Sequence, residues 1–433
     1  MRRIFFLYTI YTLCFFITKA QKPLQLTDAV NIALKNSLDI ELSNNRIAAD
    51  SIRNHIGFAG GLPLVTAGLS DNEQITSVNQ KLNSGADIVR NNAAANNLNA
   101  NITGSILLYN GGRVVATKKR LATLQLQSKD LLNSQVQNII ANVMVGYYDI
   151  VRQQNYIKTI ELSIDASNKQ VDIVKVRQQV GLANNADLFQ AQIDLNVLQQ
   201  AKLAQQLVID QAKVELMRLL TLKADSTITI EDTIIVDKEV MLATILNSFV
   251  KNADIKAAEA QVRINELIVK ETAAQRYPSV RATTGYTFTR NQAAAGQLLL
   301  NQNYGPTIGV ALAIPIYNGS IFRRQQQLAA IDVKNADIQK QVLIRDYSAR
   351  VVKQYQAYIS TSNQLDSALK NYKLSRQLLD LALLRFQYKQ ATIVEVKNAQ
   401  QSFEESGFRL VNLNFAAKAA EIELKRLGNV LTF

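Results

Sequence analysis

Ile106-Leu107-Leu108-Tyr109-Asn110-Gly111 decides how this chain is read, because Ile314-Pro315-Ile316-Tyr317-Asn318-Gly319 repeats its pattern further along. Both are apolar runs closing on a Tyr-Asn-Gly turn, and the residues beyond each turn stay in one constant register. At that offset Ala141, Val143, Tyr147, Asp172 and Arg177 recur as Ala349, Val351, Tyr355, Asp380 and Arg385. Ala191-Gln192 recurs as Ala399-Gln400, and Arg218-Leu219 as Arg426-Leu427. A duplication this long means that each half is one structural unit needing a partner surface. The expected organisation is a first repeat over 21–222, a linker over 223–238 containing a short strand, and a second repeat over 239–433.

Helix breakers are confined to a few places. The five prolines are Pro23, Pro63, Pro278, Pro306 and Pro315, so none falls within 64–277 or after 315. Between 113 and 277 the only glycines are Gly146 and Gly181, and 320–406 has none. Segments 112–179 and 320–388 are therefore free to run as single helices of about 100 Å, at about 1.5 Å per residue. Val136, Ile139, Val143, Tyr147 and Ile150 step by three or four, and Ile344, Tyr347, Val351, Tyr355 and Tyr358 keep the same register. That is a narrow seam of coiled-coil type on helices otherwise rich in Ala, Gln, Asn and Lys. Further helices are expected at 27–58, opening on Thr27 as N-cap, and at 186–221, 239–276 and 393–428.

The hydrophobic period changes to two near 62–70, 98–109, 279–290 and 307–317. Ile308, Val310, Leu312, Ile314 and Ile316 alternate with Thr307, Gly309, Ala311 and Ala313, and Ile102, Ile106 and Leu108 stand against Asn101, Thr103 and Ser105. One apolar and one polar or small face over about ten residues suits an outer-membrane barrel strand. A soluble hairpin sheet with one buried face gives the same alternation. Asn-rich stretches at 71–97 and 291–303 are expected to be polar loops joining the strands of each pair.

Arg2-Arg3, an apolar run from Ile4 to Ile17 and Thr18-Lys19-Ala20 read as a signal peptide over 1–20, which favours the membrane reading. No later stretch is apolar enough for a transmembrane helix. The formal charge is +13, but the basic residues are spread over helical faces without interleaved aromatics, so nucleic acid is not the expected partner. Cys14, the single cysteine, lies in the leader, and His55, the single histidine, is expected on a helix near the membrane end. Neither a His-based triad nor a Cys/His zinc site can be assembled, so no catalytic residue, metal or cofactor is expected. Glu231-Asp232 and Glu404-Glu405 are carboxylate pairs without a pocket signal.

Four strands cannot close a barrel in lipid, since an open edge leaves backbone groups unsatisfied. Closure must come from other copies, and three copies give twelve strands with room for a lumen. Duplicated halves, strand pairs closing on Tyr109-Asn110-Gly111 and Tyr317-Asn318-Gly319, and Val180-Gly181-Leu182 ahead of Asp187-Leu188 and Ala191-Gln192 together resemble the TolC family of outer-membrane efflux proteins. The likeness covers nearly the whole chain past the leader. It implies a mainly α fold with a small membrane β-barrel closed by homotrimerisation, and helices forming a periplasmic tunnel. It further implies a periplasmic adaptor and an inner-membrane RND or ABC pump as partners, with outer membrane lipid around the barrel.

By that resemblance, Val180, Gly181 and Leu182 dock the adaptor, with Lys389 and Gln390 in the second copy, where the Val-Gly pattern is lost. Gly181 is equally a helix C-cap glycine. The aperture residues implied are Asp187, Phe386, Ala391, Glu395 and Asn398. Ala391 stands where the family has an arginine and Phe386 where it has a tyrosine, so the closing network is rebuilt here. Asp187 also suits the first turn of a helix as a dipole-favourable acid. The implied function is an exit duct for small molecules in a tripartite system. The alternatives are the exit duct of a type I protein secretion system, or a periplasmic coiled-coil scaffold.

Overall fold

The computed structural model describes residues 23–431, and the expected signal peptide at 1–20 lies outside them. In chain order the elements are α1 (Leu26–Asn36), α2 (Leu38–Arg53), β1 (Leu64–Lys81), β2 (Asp87–Asn110), α3 (Arg113–Gln179), α4 (Asn185–Leu219), α5 (Leu242–Phe249), α6 (Ala253–Ala274), β3 (Ser279–Ala293), β4 (Leu300–Ala313), α7 (Ile321–Gln387) and α8 (Ile393–Leu427). α3 and α7 each run for 67 residues, and α4 and α8 for 35, so the duplication is carried into the elements. The chain forms two compact units, one from residues 44–131 and 256–342, the other from the remainder. Among the described residues no helix is long and apolar enough to cross a membrane.

The strand-bearing unit holds one antiparallel sheet in the order β1-β2-β3-β4. Its register aligns the two faces across all four strands. The rows Val65–Gly104–Thr284–Ile308, Ala67–Ile102–Tyr286–Pro306 and Leu69–Ala100–Phe288–Tyr304 lie on one face. Thr66–Thr103–Gly285–Thr307 and Gly68–Asn101–Thr287–Gly305 lie on the other. Leu69, Ile102, Ile308, Val310 and Leu312 are exposed, Ile308 at 91%. This apolar face runs from Val280–Leu312 to Phe288–Tyr304, roughly 27 Å along a strand at about 3.4 Å per residue. Exposed Tyr286 and Tyr304 mark one rim, and exposed Tyr109 and Tyr317 stand where the strands meet the helices. An apolar band with aromatic rims is what lipid contact demands of a barrel wall.

The strands do not stop where the sequence pattern stops. The stretches expected as loops at 71–97 and 291–303 are mostly ladder: β1 runs on to Lys81, β2 starts at Asp87, β3 reaches Ala293 and β4 starts at Leu300. Asn is a poor strand former, so these segments read as loop, but backbone pairing overrides composition where both faces meet water. Asn96 Nδ2 stiffens the extension by donating to Asp71 Oδ1 at 2.6 Å and Glu73 Oε1 at 2.8 Å. In the other direction β4 ends at Ala313 instead of 317, ahead of Pro315, which has no N–H to give a ladder. The helix ends of this unit are held by polar ties, among them Ser128 Oγ to Asp50 Oδ2 at 2.5 Å and Arg120 Nε to Glu271 Oε1 at 2.7 Å.

The helical unit has three apolar clusters. Ala29, Val30 and Ala33 of α1 pack on Ile139, Val143, Tyr147 and Ile150 of α3 with Leu216 of α4. Tyr347, Val351 and Tyr358 of α7 pack on Ile245 and Phe249 of α5 and Leu424 of α8. The sequence seam is thus the buried seam in both repeats. The third cluster gathers Val171 and Val174 of α3, Ala191 of α4, Leu379 and Phe386 of α7, and Val396 and Phe403 of α8.

Several local expectations need correction. Thr27 does not cap α1: it lies inside that helix, and Gln25 precedes it without a side-chain cap. The helix expected at 27–58 is two, because Ser37 turns extended and its Oγ accepts from Ile40 N at 3.3 Å to open α2. The helix ends at Arg53, so His55 falls beyond it, its Nδ1 accepting from Gly57 N at 3.2 Å. The helix expected at 239–276 also divides. Buried Asn252 caps α6 by accepting from Asp254 N at 2.8 Å, while its Nδ2 donates to Leu427 O at 3.0 Å.

The linker 223–238 holds no strand. Ile230 and Ile234 are buried in the α1–α3 cluster, and Ile235 is exposed. Tyrosines and ions hold the linker instead of a ladder. Tyr147 Oη donates to Asp232 Oδ2 at 3.1 Å and Leu24 O at 3.0 Å. Tyr358 Oη donates to Asp237 O. Glu421, 2% exposed, accepts from Asp237 N and Lys425 Nζ at 2.9 Å each and from Lys418 Nζ at 3.0 Å.

Candidate functional site: helix tips and strand–helix turns

At the strand-to-helix turns Gly111 and Gly319 both take φ +66, followed by Gly112 at +81 and Ser320 at +64. Two successive left-handed residues reverse the chain from ladder into helix. At Gly111 the choice is also steric, since a Cβ there would lie 2.7 Å from Ala274 O and 2.8 Å from the Tyr277 Cβ. Asn110 Oδ1 accepts from Val114 N at 3.4 Å, while Asn318 uses its carbonyl toward Ile321 N at 3.3 Å. Tyr109 and Tyr317 are exposed, Tyr317 at 86%.

The two helix-to-helix turns share one backbone. Gly181 N donates to Gln178 O at 3.0 Å and Leu182 N to Arg177 O at 2.7 Å. In the second copy Lys389 N donates to Phe386 O at 3.2 Å and Gln390 N to Arg385 O at 2.8 Å. This is a paired-bond C-cap with its third residue left-handed. Gly181 takes φ +74 without strain, whereas Lys389 takes φ +61 with a side chain. Lys389 therefore follows the fold of the first copy although its sequence departs from it. Val180, Leu182 and Tyr388 are exposed apolar side chains at these turns.

Asn184 opens α4 with a capping box: its Oδ1 accepts from Asp187 N at 2.8 Å, and Asp187 Oδ2 accepts from Asn184 N at 3.3 Å. Thr392 caps α8 by its side chain alone, Oγ1 accepting from Glu395 N at 3.2 Å and donating to Glu395 Oε1 at 3.3 Å. Asp187 and Glu395 are thus capping acids in each chain, which their sequence positions had suggested for Asp187 alone. Arg385 reaches Glu395 at 3.9 Å and donates to Gln390 O at 2.8 Å. Lys397 pairs with Asp194 at 2.9 Å.

Phe386 is 4% exposed, its ring under the Arg177 guanidinium at 4.3 Å, and Arg177 also donates to Phe386 O. Ala391 is half-buried against the same cluster, and Asn398 is exposed. The structure therefore brings Arg177 to Phe386 and Arg385 to Glu395, with Asp187 and Asn398 on separate turns of their own helices. Arg177 and Arg385 were legible only as a repeated residue. Their role appears once the turns are built, because Arg385 crosses its own turn to Gln390 and Glu395, while Arg177 reaches Phe386 at the other turn. Among the described residues, no three His, Cys, Asp or Glu side chains gather to hold a metal ion.

Comparison with known proteins agrees with this architecture. The family profile described as outer membrane efflux protein matches residues 29–221 and 247–429. The outer membrane protein TolC of Vibrio cholerae is 23% identical over 309 residues, covering 68% of this chain and 68% of that protein. Among solved structures, the Campylobacter jejuni CmeC outer membrane channel superposes with TM-score 0.78 at 16% identity, over 94% of this chain and 86% of that one. The outer membrane protein VceC of Vibrio cholerae does so with TM-score 0.75 at 19% identity, over 93% and 96%. With both repeats matched, the chain belongs to the outer membrane efflux protein family and is an efflux channel of the outer membrane.

Proposed function

We propose that three copies of the chain close into one exit duct, which takes small molecules from a periplasmic adaptor and an inner-membrane RND or ABC pump to the exterior. One observation carries the reading: a four-stranded sheet with an exposed apolar face and free margins at β1 and β4. In lipid those margins need partners, and β4 of one copy against β1 of the next supplies them. Exposed Phe189, Ile193, Val197 and Leu203 on α4, with Leu374 and Leu378 on α7, are apolar stripes suited to the same closure.

In the closed duct the turns Val180-Gly181-Leu182 and Lys389-Gln390 receive the adaptor. Asp187, Glu395 and Asn398 line the periplasmic aperture, with Phe386 and Ala391 packed behind it. Three copies of each acid around one axis favour cations there. The proposed domains are the repeats 21–222 and 239–433 joined by 223–238.

Detergent-extracted protein is expected to run at three times the mass of the chain without its leader and to image as a ring. A single subunit, freely soluble without surfactant, would overturn the reading. Deleting the gene should sensitise cells to toxic small molecules and leave the secreted proteome unchanged; the reverse outcome assigns the duct to protein export. In planar bilayers, Asp187→Ala with Glu395→Ala should lower cation preference, and an unchanged reversal potential would remove the aperture assignment.

A further inference from the structure

The polar face of the sheet is almost free of charge. Its paired rows are Leu64–Ser105–Thr283–Gly309, Thr66–Thr103–Gly285–Thr307, Gly68–Asn101–Thr287–Gly305, Ser70–Asn99–Thr289–Asn303 and Asn72–Asn97–Asn291–Asn301. The one charged residue in register with them is Arg281, in the row Leu107–Arg281–Ala311. Hydroxyls, amides and small residues fill the rest, so a single guanidinium sets the sign of the potential on that face.

Arg281 is exposed, and its partner is Ser105 Oγ at 3.4 Å, leaving most of its five N–H donors free. It stands beside Arg113 in a cavity of about 560 Å³ whose walls include Asn110, Tyr277, Pro315 and Phe322. Neither arginine makes an ion pair among the described residues, and Glu271, on the α6 helix leading into β3, is held by Arg120. Two guanidiniums without carboxylate partners, against aromatic and apolar walls, match a ligand with a charged head and a greasy body. Guanidinium favours planar or tetrahedral oxyanions through paired N–H bonds.

We propose that Arg281, with Arg113 beside it, makes the helix end of the barrel an anion-selective station that binds organic anions carrying an apolar group. The proposal rests on the duct reading, in which the polar face looks into the lumen. Three copies then set three Arg281 guanidiniums at one level around the axis. Such a ring in a low-dielectric wall concentrates carboxylates, sulfonates and phosphates and repels cations.

The test is block of the full-length wild-type channel in planar bilayers, with benzenesulfonate as probe and benzyltrimethylammonium as the cation of matched size. Benzenesulfonate should block, and Arg281→Gln should raise its half-blocking concentration about tenfold, the loss of one charge-assisted contact. Arg281→Lys should recover only part of that loss, about threefold, since the charge is kept but the paired N–H fork is not. Equal half-blocking concentrations of benzenesulfonate in wild type and Arg281→Gln, or a benzyltrimethylammonium block that Arg281→Gln weakens by the same factor, would overturn the station and leave the duct standing. A wild-type protein that opens no conductance at all would overturn the duct and the station with it.

Discussion

Lys389 and Gly181 hold the same left-handed backbone, at φ +61 and +74, and only one of them does so freely. A side chain in that region costs about 1 kcal/mol or more. Lys389→Gly should therefore raise the thermal midpoint in detergent by a degree or two, and Gly181→Lys should lower it by a similar amount. Followed by circular dichroism, opposite signs for the two changes confirm the shared geometry, and equal signs refute it.

Asp237 offers a residue-scale pH dependence. The Glu239 backbone N–H and the Lys425 ammonium at 2.9 Å hold its carboxyl below the ordinary range. Lys425 is raised, its burial outweighed by Glu421 and Asp237. A carboxyl depressed by folding stabilises above its unfolded pKa, about 3.9, and loses that as pH falls through the folded value. The raised lysine stabilises below about 10.4 and loses that as pH rises further. With 41% of the Asp237 side chain exposed, Asp237→Asn should cost only about 0.5 kcal/mol at pH 7. The cost should begin to shrink near about pH 4 and vanish only below the depressed folded value, and denaturant midpoints across pH read it.

At the scale of elements, sequence pattern and structure part company in instructive places. α3 and α7 were legible almost to the residue, because Pro is missing from both, Gly146 is the single glycine of α3, α7 has none, and a seam of Val143, Tyr147 and Ile150 type repeats. The strand faces were legible for the same reason: period two survives wherever lipid sits on one side. The extended hairpin 71–97 was not, because where both faces are wet no alternation is imposed. The linker misled in the opposite sense. Ile228, Ile230 and Ile234 alternate because an extended chain buries every second residue, and no partner strand is needed for that.

The tips were legible as turns and acids, but the crossing of Arg177 onto Phe386 depends on helices far apart in sequence. Face assignment gives the element-scale prediction. Ile308→Arg, on the apolar face, should impair folding into bilayers by about 2–4 kcal/mol. Thr307→Arg, its neighbour on the polar face, should insert normally and change conductance instead. Urea titration in vesicles measures the first and single-channel current the second.

For the whole molecule, the sheet and the helices share one unfinished state. β1 and β4 each lack a neighbour, and α4 exposes Phe189, Ile193, Val197 and Leu203 along one side. Leu203→Asp leaves the buried clusters of the chain untouched while placing a charge in the proposed seam between copies. The expected result is a folded, helical chain whose detergent particle falls from three copies to one. Light scattering with circular dichroism checks both halves of that statement, and an unchanged particle mass would show that the α4 stripe meets something other than a second copy.

The bare margins of β1 and β4 have a genetic corollary. If a ring closes only when every margin meets a sound one, a single defective member spoils its whole set. A cell making sound and edge-crippled copies in equal amounts should retain roughly one duct in eight. Such an allele would be dominant, and more damaging than losing the gene from one of two copies.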